Sequence, residues 1–241
     1  LLSFYQGTRP VAILTFYATH PQSHYGQGRV SADFPGMARA MREAAVPRAA
    51  HIHFNGAGGN IGAGKYNDGS PENRPVLAQR LATGMRLAWE RTERKPLRAE
   101  DIAWATNAVS MPPRAEIDLD AERALLADED APFGQRRRAA REITWHERTH
   151  AGDETLLMRL RVGNAQVLFM PGELFVEYQL AAQEMAPDSV VMMAAYGDYG
   201  PGYIGTAKAY EEGGYETQLY TSRTAPEVEE VLMTGMAELL E

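Results

Sequence analysis

Gln166-Val167-Leu168-Phe169-Met170-Pro171-Gly172-Glu173 is an apolar run that stops at Pro-Gly and then presents a carboxylate. Because Pro and Gly end sheet pairing, Val167 to Met170 reads as a buried strand with Glu173 at its C-terminal end. In layered α/β folds that rim gathers ligands and catalytic groups, since loops leaving strand ends carry polar residues without burying them in the core. Three other segments repeat the pattern. Val11 to Ala18 runs into Thr19-His20-Pro21, Ile52 to Phe54 runs into a glycine-rich loop, and Val190 to Ala195 runs into Gly197-Asp198-Tyr199-Gly200-Pro201-Gly202-Tyr203. Any chemistry is expected where these ends meet.

Working away from this stretch, Thr155 to Val162 and Ala165 to Met170 are expected to form a hairpin, because Gly163-Asn164 is a two-residue loop able to take positive φ. Leu174 to Met185 reads as a helix directly after Glu173. Upstream, Met37 to Ala44 and a segment with Pro75 in its first turn are helical, the latter because Leu77, Leu81, Gly84, Met85 and Ala88 recur at helical spacing. Ala49 to Phe54 and Ile102 to Met111 read as strands, Asp120 to Asp130 as an acidic helix, and Arg136-Arg137-Arg138 as a solvated basic face beside it. A closing helix from about Ala225 buries Val228, Val231, Leu232, Gly235, Met236 and Leu239. The expected architecture is α/β, a layered mixed β-sheet core flanked by helices, in one domain spanning residues 1–241.

At 241 residues the chain can bury a sizeable core. A net charge of -8 argues against nucleic-acid partners, which need a basic face. With no cysteine, any metal must be held by His, Asp, Glu or Tyr. No apolar run reaches transmembrane length and no signal peptide is visible. The chain opens on Leu1 in what reads as mid-fold, so an N-terminal portion is expected to be missing.

Two local motifs compete for the chemistry. Gly59-Asn60-Ile61-Gly62-Ala63-Gly64-Lys65-Tyr66 approaches a phosphate-binding loop, but Tyr66 stands where a Ser or Thr would hold magnesium, and Asn67 to Pro71 prevents the helix that should follow. A glycine loop shaped for close packing, or one lining a substrate site, is the better reading. His146-Glu147-Arg148-Thr149-His150 fits H-E-x-x-H, in which two histidines one helical turn apart bind zinc. Against it, Ile143-Thr144-Trp145 favours a strand, Ala151-Gly152 stops a helix, and the flanks show no buried helical face, so a polar lead-in to the hairpin is expected instead. His51 and His53 alternate with Ile52 and Phe54 on one sheet face and read as structural. Tyr203, Tyr210 and Tyr215 either cap a core or, for glycine-bounded Tyr203, present a hydroxyl.

Taken in order, the chain resembles the neutral/alkaline non-lysosomal ceramidases, zinc-dependent amidohydrolases. The resemblance is carried by Tyr17-Ala18-Thr19-His20-Pro21, Ser31-Ala32-Asp33-Phe34-Pro35-Gly36, Asn55-Gly56-Ala57-Gly58-Gly59-Asn60, Met170-Pro171-Gly172-Glu173, and Tyr203-Ile204-Gly205-Thr206 leading to Tyr210-Glu211-Glu212-Gly213-Gly214-Tyr215-Glu216. It implies that His20, Glu173 and Tyr203 are Zn²⁺ ligands and that Tyr215 stabilises the oxyanion. It further implies that zinc-activated water cleaves an amide bond of an N-acylsphingosine or related small molecule, in a secreted or periplasmic protein. Two departures stand out. The family's further zinc histidine lies in an upstream His-x-His motif, and nothing before His20 supplies it. Gly62 stands where the family's catalytic serine would be, which leaves Asn60 or loop N–H groups to bind the developing charge, with Gly59 and Gly62 beside the substrate. Two other readings stay open: an H-E-x-x-H zinc metallopeptidase using His146, Glu147 and His150, which needs helix across that motif, and a non-catalytic protein that uses the same cleft for binding. The oligomeric state is not readable.

Overall fold

The computed structural model describes every residue except Tyr25, Gln27, Gly64, Lys65 and Tyr199. The Gly64-Lys65 part of the phosphate-loop-like run, and Tyr199 of the run from Gly197 to Tyr203, therefore lie outside the described residues. The architecture is mixed α/β, with several sheets flanked by helices.

Strand β1 (Leu2–Gln6) pairs antiparallel with β2 (Arg9–Tyr17), and β2 pairs parallel with β3 (Ala50–Asn55), Thr15 facing His53. The parallel step is made by helix α1 (Asp33–Ala45), and α2 (Asn73–Glu90) packs on α1. The second sheet begins with β4 (Ile102–Val109), β5 (Thr155–Val162) and β6 (Ala165–Pro171), all antiparallel. The expected hairpin is present: Gly163 has φ +60 and Val162 pairs with Ala165, because the two-residue loop matches the twist of its strands. After β6 come the short β7 (Glu173–Leu174) and α5 (Val176–Met185), which carries the chain over to β8 (Val190–Gly197), parallel to β6. β7 pairs parallel with β9 (Tyr203–Ile204). Helices α6 (Ala207–Glu212) and α7 (Val228–Leu240) close the chain.

The main core lies between the second sheet and helices α5 and α7, where Leu157, Leu168, Met170, Met193, Leu232 and Met236 are almost wholly buried. Burying each such side chain contributes about 1.5–3 kcal/mol, which outweighs weak local propensities. Since β2 and β3 run parallel, β6 and β8 run parallel, and β3 lies beside β8, the C-terminal ends of these strands share one rim.

Two expectations are overturned. Ile143-Thr144-Trp145 is not a strand but lies within α4 (Phe133–His150), which is continuous through the histidine motif; α4 packs against α3 (Leu119–Ala127). Ala139, Glu142, Ile143 and His146 are its buried residues, at the helical repeat whose absence the flanks had suggested. The helix cost of Ile, Thr and Trp is only a few tenths of a kcal/mol each, so burial of that face decides. Nor is the arginine run a purely solvated face. Arg138 pairs with buried Glu122 at 3.1 Å and stacks 4.0 Å from the Tyr220 ring centroid, and Arg136 Nε donates to the carbonyl of Leu126.

Candidate metal-binding and catalytic centre

The rim brings His20, Glu173 and Tyr203 together. His20 follows β2, Glu173 opens β7, and Tyr203 opens β9, so the pairing of β7 with β9 sets Glu173 beside Tyr203. His20 Nε2 lies 3.1 Å from Glu173 Oε2 and 3.0 Å from the Tyr203 hydroxyl. On the other side of the ring, Nδ1 lies 2.6 Å from the carbonyl of Gly58. A carbonyl only accepts, so Nδ1 carries the proton and Nε2 turns its lone pair toward Glu173 and Tyr203 in the neutral ring.

Glu173 holds the imidazole of His20 above its ordinary value through their hydrogen bond and charge attraction, against the opposing effect of burial. One nitrogen and two oxygens thus converge, and Zn²⁺ accepts such a donor set. Among the described residues, no three or more His, Cys, Asp or Glu side chains gather as a metal-binding group, so a metal held at this point would depend on the Tyr203 phenol as a third donor.

The glycine loop serves by packing closely. A Cβ on Gly59 would fall 2.3 Å from the carbonyl oxygen of Glu173, while Gly59 N–H donates to Leu174 at 2.8 Å. The loop thereby touches the backbone that presents the carboxylate. Asn60 is engaged at the head of α5, where its Oδ1 accepts from the N–H of Val176 at 2.9 Å and its Nδ2 donates to Glu177 at 2.8 Å. Tyr215 packs edge-on against Tyr203 with ring centroids 5.9 Å apart, and is 61% exposed. Gly62 is exposed at the lip of a cavity of about 700 Å³ between β2 and α2, lined by Phe16, Ile61, Leu77, Leu81 and Met85 among others. Thr19 and Ile61 belong both to that cavity and to the surroundings of His20, whose backbone N–H donates to Ile61.

The second histidine motif does not build a comparable centre. His146 and His150 stack at 6.1 Å on α4, with Nε2 of His146 buried and without a hydrogen-bond partner. Burial, then the proximity of His150, holds His146 below its ordinary value. Glu147 points outward to Arg123 at 3.2 Å, and the carboxylate of Glu173 lies at His20. His51 and His53 bond to the Val46 carbonyl and the Thr15 hydroxyl, as structural histidines do.

Sequence reasoning missed Tyr196. It adopts φ +67, a left-handed conformation rare outside glycine, and sets its ring edge-on to His20 at 6.3 Å, while its N–H donates to Gly172. Nothing local in Ala195-Tyr196-Gly197 signals this, because it follows from the register: Phe169 pairs with Ala194 and Pro171 with Gly197, so β8 carries one residue more than β6 at this point.

No protein-family model and no curated protein sequence matches the chain. Solved structures do. The chain resembles the neutral ceramidase of Pseudomonas aeruginosa with a TM-score of 0.68 at 14% identity, over 97% of this chain and 44% of that one. A second structure, of a ceramidase complexed with C2, matches with a TM-score of 0.68 at 12% identity, over 97% and 46% of the two chains. The chain thus spans less than half the length of these neighbours. At these identities it is the fold that is shared: a ceramidase-like α/β architecture.

Proposed function

We propose that this chain carries a zinc-dependent hydrolase centre of the ceramidase-like class, acting on the amide bond of a lipid or related small molecule. The observation that carries this reading is that Glu173 Oε2 and the Tyr203 hydroxyl both approach His20 Nε2, at 3.1 and 3.0 Å, with His20 Nδ1 already tied to Gly58. These three groups would hold Zn²⁺, which when bound polarises a carbonyl and acidifies a water. The remaining work falls to the chain itself. The Gly58 carbonyl fixes the tautomer of His20, and the Gly59 contact fixes the backbone of Glu173. The exposed hydroxyl of Tyr215 donates to the substrate oxygen that gains charge as the carbonyl is attacked. Asn60 acts by locking the glycine loop onto α5. The apolar cavity beside Ile61 and Gly62 accommodates a hydrocarbon portion away from water. Neighbours described as ceramidases support a lipid amide as the substrate class.

The test is hydrolysis of a long-chain N-acyl amide, its matched ester and a peptide by zinc-supplied protein, with products identified by mass spectrometry. Amide cleavage is expected, falling roughly 100-fold or more in His20→Ala and Glu173→Gln. Cleavage of the peptide alone, lost in His150→Ala, would install the metallopeptidase reading. Absence of any turnover would favour a binding protein.

A further inference from the structure

Helix α4 contributes no ligand, yet its buried face reaches the loop that delivers Tyr203. Glu142 is fully buried and pairs with Arg223, only 2% exposed, at 2.8 Å. A buried ion pair is weak evidence of a stabilising role, because apolar side chains of similar volume can often fill the space without the cost of desolvation. Arg223 reaches the loop twice, its guanidinium donating to the carbonyl of Gly200 at 3.2 Å and its backbone N–H to that of Pro201 at 2.9 Å. Its own carbonyl accepts from Trp145 Nε1 at 3.1 Å, one turn along α4 from Glu142. The Trp145 ring lies so close to Gly200 that a Cβ there would sit 3.0 Å from it. The next residues continue the grip: Gly202 bridges to Ser222, and Tyr203 N–H donates to Thr221 at 3.1 Å. The phenol that results lies 3.0 Å from His20 Nε2.

We propose that Glu142 and Arg223 are positioning residues that hold the Tyr203 hydroxyl in register with His20, through the Gly200-Pro201-Gly202 loop. For its bearing on zinc the inference rests on the reading given under Proposed function; for the placement of Tyr203 it stands alone. It also gives the helix bearing the H-E-x-x-H pattern a purpose other than ligation: its inward residues brace the loop from outside the centre.

The experiment uses the whole chain labelled with 3-fluorotyrosine, the Tyr203 line in the fluorine NMR spectrum being assigned from Tyr203→Phe. Two variants are compared with the parent: Glu142→Gln, and the pair Glu142→Met/Arg223→Met, which leaves no charge buried alone and keeps the test alive if the first fails to fold. With cooperative thermal unfolding retained, the Tyr203 line is expected to shift or broaden while the other tyrosine lines distant from α4 hold. Zinc affinity by chelator competition is expected to fall roughly tenfold, as for other supporting contacts of metal ligands. In a Tyr203→Phe background the paired substitution should add less than about twofold, because the same contact cannot be lost twice. An unmoved Tyr203 line in a folded variant, or affinity losses that simply add, would overturn the proposal. A parent protein that binds no zinc would defeat the zinc reading alone, and the fluorine line would still decide this one.

Discussion

His20 Nε2 lies 3.1 Å from Oε2 of Glu173, with side chains only 16% and 10% exposed, although one follows the first sheet and the other the second. The contact bridges the segments that leave the two sheets. It also has a pH signature in metal-free protein. The pair raises the pKa of His20 in the folded state, so its stabilisation is fully present below the unfolded value of about 6.5 and lost as pH rises through the folded value. Urea unfolding of the parent and Glu173→Gln, each without metal, should therefore differ most at pH 5.5 and progressively less toward pH 8.5. A difference that grows with pH would contradict the charge assignment.

Gly59→Ala is expected to damage both fold and centre. Its Cβ would lie 2.3 Å from the carbonyl oxygen of Glu173, and backbone on both sides leaves little to yield. The cost should be about 1–3 kcal/mol by denaturant unfolding, the range for overpacking. Gly84→Ala in α2 is the matched control, since nothing lies within 4 Å of its added Cβ and helix propensity favours Ala by about 1 kcal/mol. Equal losses at the two positions would refute the close-packing account.

These contrasts bear on what could be read before the structure. The Gly163-Asn164 hairpin and the strand that stops at Pro171, just before Glu173, were legible, because turn chemistry and an apolar run bounded by Pro-Gly are local; that Glu173 opens a short strand of its own was not. The α4 helix was not, since Ile143-Thr144-Trp145 has indifferent propensity and only packing of Ala139, Glu142, Ile143 and His146 decides its state. In the centre, His20, Glu173 and Tyr203 could be chosen as candidates from strand ends and motif resemblance. Their supports could not. The Gly58 carbonyl under His20, the left-handed Tyr196 and the Glu142–Arg223 pair all depend on which strands neighbour one another, and no spacing in the sequence encodes that.

Asp33 provides an acid-side test. Burial pushes its carboxyl up, but bonds from the Ser23 hydroxyl and backbone and from the N–H groups of Phe34 and His24 outweigh that and hold it below its ordinary value. Its stabilisation is present above about pH 4 and lost as pH falls through the folded value. Asp33→Asn should cost about 1.5–3 kcal/mol at pH 7. The gap from the parent should close as unfolding is followed from pH 5 to pH 2, whereas a constant gap would mean the charge is irrelevant.

Tyr215 divides binding from chemistry. If its hydroxyl meets charge only as the carbonyl is attacked, Tyr215→Phe should lower kcat roughly 10- to 100-fold with KM little changed. The edge-on contact with Tyr203 survives the substitution, so a rise in KM alone would assign Tyr215 to substrate contact instead.

Zinc per chain, by elemental analysis of the parent, His20→Ala and His146→Ala after exhaustive dialysis, decides whether the metal sits at His20. One zinc is expected in the parent and in His146→Ala, and none in His20→Ala. Zinc retained in His20→Ala and lost from His146→Ala would contradict that placement and move the metal to α4.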